Sequence, residues 1–180
     1  MFYLRGRDEV VNYDALFTLS EIAVTMVGVS GLVAIFLSKG NLQPADRVRF
    51  VLILGLGILA AFFAYVPYWM SKYVTDASSV WQFSSILAVV AVSTLVIPLG
   101  ILMHAREALQ AVVPKFVLLG ASIFPLSAFM AHLINAVSWP INANSTLYEL
   151  ALFLIILNMT FHFGSLVLYR DPTLSVTEGG

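Results

Sequence analysis

Glu21, His132 and Asn135 lie where hydrocarbon would be expected. Glu21 sits in FTLSEIAVTMVGVSGLVAIFL, and His132 and Asn135 in ASIFPLSAFMAHLINAV, runs otherwise made of apolar and small residues. A carboxyl and an imidazole brought together out of water can pass protons or hold a cation. Counting from the outer ends of their helices puts Glu21 and His132 each about six residues, or about 9 Å, deep. They can therefore meet, and Asn135 one turn outward, with Tyr65 and Tyr68 nearby, completes a candidate outer-leaflet proton-handling cluster. The competing reading is that Glu21 hydrogen-bonds a neighbouring helix and fixes the packing.

Asn158, His162 and Ser165 follow at i, i+4 and i+7 and form a second polar stripe, which must face protein. Interhelical hydrogen bonding is expected there ahead of pathway lining. His104, His132 and His162 lie at three different depths, so neither a haem nor another metal site is expected, and no cofactor is implied. The chain has no cysteine, which removes disulfides, thiolate metal sites and thiol nucleophiles together. No G-x-S-x-G, Walker or zinc-protease motif occurs, and Gly28-Val29-Ser30-Gly31 lies in uninterrupted helix, so the chain reads as a non-enzyme.

The elements that position these residues follow from composition. Hydrophobic residues make up 60% of the 180 and charged residues 11%, against about 25% charged in soluble domains. Helices of about 20 apolar residues cross a bilayer. Five runs reach that length, roughly 15–37, 50–70, 80–103, 116–137 and 147–169. The fold predicted is therefore all-α: a polytopic transmembrane helical bundle of five spans, forming one integral membrane domain over 1–180. Continuous apolar runs, without ten-residue alternation, argue against a transmembrane barrel. The first span lacks signal-peptide features and is expected to be retained.

Arg5, Arg7 and Lys72 fall on one side of these spans, and Lys39, Arg47, Arg49, Arg106, Lys115 and Arg170 on the other. This places the N-terminus outside and the C-terminus in the cytoplasm. Tyr65, Tyr68, Trp69, Tyr73, Trp81 and Trp139 then mark the outer interface. A net charge of −1 with no basic patch excludes nucleic acid as a partner.

Helix packing is read from small residues. On the first span Ser20, Ala23, Ser30, Gly31, Ala34 and Ser38 share one side, and Glu21, Thr25 and Gly28 another. Neither suits lipid, so this helix is expected inside the bundle, with Gly28, Gly31, Gly57 and Ala61 as packing positions. Pro67, Pro98 and Pro125 each remove a backbone bond from a span, and the carbonyls four residues earlier need other partners. The segment HAREALQAVVPK reads as a helical extension of the third span.

The run Ser20-Glu21-Ile22-Ala23-Val24-Thr25, followed by Gly28 and Ser30-Gly31-Leu32-Val33-Ala34-Ile35-Phe36, resembles the first helix of small bacterial inner-membrane proteins of unknown role. The resemblance covers about one span and implies a bacterial cytoplasmic membrane. Two functional readings stand: a non-enzymatic membrane subunit or scaffold, as a homo-oligomer or with a membrane-complex partner, and a small channel or proton-linked transporter. The lipid bilayer is the surroundings in both.

Overall fold

The computed structural model describes residues 13–38, 44–96, 115–138 and 142–168. Within them all regular structure is helical, and five helices are long and apolar enough to cross a membrane. They are α1 (Asp14–Ser38), α2 (Pro44–Met70), α3 (Ala77–Ala91, continued by a π-turn at Val92–Val96), α4 (Lys115–Val137) and α5 (Ser145–Leu168). The extension, up to residue 114, together with Pro98, Trp139 and the terminal segments, lies outside the described residues.

Helix ends follow local chemistry. Asp76 has extended backbone and accepts the Ser79 amide at 2.7 Å, capping α3. Hydrogen bonds from Ser79 hold the Asp76 carboxyl below its ordinary range. Asn144 caps α5, its side-chain oxygen accepting the Leu147 amide at 3.0 Å. Ser138 ends α4 in the left-handed region, φ 53°, donating its amide to the Ile134 carbonyl just before Pro140. Thr94 donates to the Val90 and Ala91 carbonyls within the π-turn that precedes Pro98.

The bundle is built around α2 and α5. α5 packs on all four other helices, and α2 on α1, α3 and α5. Half of the most apolar stretch of α2 and of α5 is enclosed, 50% each, against 22% for α1. The expectation that α1 sits inside the bundle is therefore corrected. One side, with Leu16, Ser20, Ala23, Ser30 and Ala34, is buried against α2 and α5, Leu19, Met26 and Val27 are partly covered, and the side with Glu21, Thr25 and Gly28 faces outward. Trp81 is corrected likewise, since it packs in the core against Tyr148 at 5.7 Å instead of marking an interface.

Close approach of α1, α2 and α5 depends on Gly57. A Cβ there would meet the Val27 methyl of α1, come within 3.0 Å of Met159 Sδ on α5, and within 3.4 Å of the Ala23 carbonyl. Ala61, one turn on, is half-buried against the same core. Gly120 of α4 seats the Phe161 ring of α5 in the same way. Gly28 and Gly31, by contrast, have nothing within 4 Å of an added Cβ, so they seat no helix of this chain. Gly57→Leu should cost about 1–3 kcal/mol through overpacking, whereas Gly55→Leu, with open space, should stay within about 0.5 kcal/mol. Unfolding in mixed micelles titrated with sodium dodecyl sulfate checks both.

Candidate functional site

At the end of the bundle where α1 begins, Asn135 of α4 joins three helices. Its amide nitrogen donates to Ser85 Oγ of α3 at 2.9 Å, and its oxygen accepts the Asn144 amide at the head of α5 at 2.8 Å. Gln82 Nε2 adds a bond from α3 to the Ala136 carbonyl of α4 at 3.0 Å. Every direct partner of the Asn135 side chain is thus structural, and the residue acts as a bracket. His132, one turn deeper, is fully enclosed, with the Tyr148 ring edge-on at 5.0 Å. Among the described residues neither of its ring nitrogens has a hydrogen-bond partner, and Ser84 Oγ of α3 is also buried and unpartnered. Glu21 is therefore not bonded to His132, and the structure does not assemble the Glu21–His132–Asn135 cluster. Tyr65 and Tyr68 are exposed and pack on Phe17 of α1 instead.

At the opposite end lies a polar centre that sequence reasoning missed. Arg49 of α2 is 3% exposed and donates through Nη1 to Asp46 Oδ1 at 3.1 Å and to the Ser165 carbonyl of α5 at 3.4 Å. Ser165 Oγ donates in turn to the His162 carbonyl at 2.8 Å. The stripe Asn158, His162 and Ser165 faces inward along its whole length, so the guanidinium ties the foot of α2 to it. Asn158 Oδ1 and Ser30 Oγ are buried without partners among the described residues. A second span counted from Phe50 places Asp46 and Arg49 in the loop before it. The available signal was their i, i+3 spacing at the head of an apolar run, which allows the pair to neutralise itself and be drawn inward.

Glu21 is on the outward side of α1, seven residues after Asp14 and so about 10 Å into the span. It makes no hydrogen bond or ion pair among the described residues. Thr25 follows one turn later, also exposed. Thr18, Thr94 and Thr160 each return their hydroxyl to the carbonyl four residues back. Thr25 makes no such bond among the described residues, and its hydroxyl lies on the same stripe. Gly28 and Leu32 continue that stripe at i+7 and i+11 from Glu21, with Val24 and Val29 exposed beside them. An acid costs up to about 3 kcal/mol to insert at the centre of a span and less nearer its end, where Glu21 sits, and nothing described in this chain offsets that cost.

Among the described residues no group of three His, Asp or Glu side chains gathers as a metal site. No protein-family model matches the chain, and neither does any curated protein or solved structure.

Proposed function

We propose that the chain is a non-enzymatic subunit or scaffold of a bacterial inner-membrane assembly, oriented with its N-terminus outside and its C-terminus in the cytoplasm. Its five helices form the body, and α1 is the helix it offers to a partner. The observation that carries this reading is the outward position of Glu21, with Thr25 and Gly28 on the same stripe. Hydrocarbon cannot satisfy a carboxyl, and protein can. The α2–α5 core is meanwhile closed by apolar packing and by brackets such as Asn135, which suits a rigid support.

A photo-crosslinking residue at Val24 or Leu32 of α1, compared with one at exposed Leu126 of α4, tests the reading in a membrane that natively carries the protein. Protein adducts are expected from the α1 positions and lipid adducts alone from Leu126. Lipid adducts at every position would refute it. The second reading, a small channel or proton-linked transporter, draws on the buried unpartnered atoms of Ser30, Ser84, His132 and Asn158. Proton flux in liposomes that disappears in a His132→Leu variant would put that reading first.

A further inference from the structure

The stripe Glu21, Thr25, Gly28 and Leu32 also specifies what should lie against it. We propose that its occupant is a transmembrane helix of another protein, carrying a lysine or arginine about 10 Å below the end of the membrane at which α1 begins; this rests on the subunit reading above. The argument is charge complementarity. An acid held out of water is best matched by a desolvated base that also donates hydrogen bonds, and Arg or Lys inside a span normally pairs with such a group. Thr25 supplies a hydroxyl one turn away to take a remaining donor, and Gly28 leaves room for the second backbone to come close.

A second copy of this chain does not meet the requirement. Among the described residues, Lys72 is exposed in the turn after α2 and Arg47 is exposed at the opposite end of the bundle. His132 is sealed in the core. No described base is thus exposed at the level of Glu21, and a two-fold α1–α1 contact would set acid against acid. Among the described residues, then, no base of a second copy is placed to meet Glu21, and the occupant proposed is a different, complementary chain.

Model transmembrane peptides test this directly. One 23-residue Leu/Ala helix carries a single lysine seven residues from its end, a second carries it at the centre, and a third has none. The chain contains no cysteine, so Tyr73→Cys in the exposed turn gives one labelling site for energy transfer to dye-labelled peptide in phosphatidylcholine vesicles. The seven-residue lysine peptide should associate at least tenfold more tightly than the other two, and Glu21→Ala should erase the difference. Glu21→Lys should reverse it, selecting a peptide with glutamate at the seventh position. Because Glu21 makes no hydrogen bond or ion pair among the described residues, these variants are expected to unfold at the wild-type detergent concentration, which separates loss of binding from loss of fold.

Equal association of all three peptides, or a preference indifferent to Glu21, overturns the proposal. Energy transfer between two labelled copies that is lost in Glu21→Ala makes the occupant a second copy; it overturns the proposal and leaves the subunit reading standing. No association of any kind, together with lipid-only adducts on α1, removes both.

Discussion

Asp46→Ala is expected to cost about 3–5 kcal/mol of folding free energy, the range for stranding one charge of a buried pair. Its carboxylate lies 3.1 Å from Arg49, with the two side chains 9% and 3% exposed. Removing it leaves the guanidinium inside the bundle, near His162, without the carboxylate that Asp46 supplies. The Ser165 carbonyl at 3.4 Å remains, but a carbonyl dipole does not replace a carboxylate. Arg49→Lys keeps the charge and loses the planar fork, so it should fall between wild type and Asp46→Ala. The double variant Asp46→Leu with Arg49→Met removes both charges and should lie within about 2 kcal/mol of wild type. Unfolding by sodium dodecyl sulfate in mixed micelles measures all three. A cost below about 1 kcal/mol for Asp46→Ala would mean that the pair stands in water and that α2 leaves the bundle before Asp46.

The five helices were legible because each needs only a long apolar run, and length and composition carry that information without any partner. The inward stripe of α5 was legible for the same reason: Asn158, His162 and Ser165 fall on one face, and polar side chains in a span turn toward protein. Which protein they turn toward was not legible. Arg49 counts, in a one-dimensional reading, as a flanking charge that sets orientation, and only the packing of α2 on α5 draws it inside. α1 makes the point from the other direction. Periodicity separated Ser20, Ala23, Ser30 and Ala34 from Glu21, Thr25 and Gly28, and both sides looked unsuited to lipid. The chain covers the first set with its own α2 and α5 and leaves the second outward, a choice that depends on how many helices are available to surround α1. Glu21 and His132 share a depth, but equal depth on two helices does not bring them together, because α1 and α4 pack mainly on different neighbours.

Tyr148 carries the other large expected effect, and its cause is Pro67. Within α2 the Phe63 carbonyl would normally accept the amide of residue 67, but proline has none, and its ring pushes that carbonyl off the helix axis. In hydrocarbon an unpaired carbonyl is costly. The Tyr148 hydroxyl of α5 donates to it at 2.7 Å across 85 residues of sequence. The Tyr148 ring is fully enclosed and packs against Trp81 and His132. Tyr148→Ala should therefore cost about 3 kcal/mol or more, from the cavity together with the stranded carbonyl. Tyr148→Phe keeps the ring and should cost about 1–2 kcal/mol. Pro67→Ala restores the missing amide, so in that background Tyr148→Phe should cost no more than about 0.5 kcal/mol. The double-mutant cycle then returns a coupling energy of about 1 kcal/mol. Equal costs in the two backgrounds would show that the Phe63 carbonyl never depended on Tyr148, and the contact between α2 and α5 would then have to be ascribed to apolar packing alone.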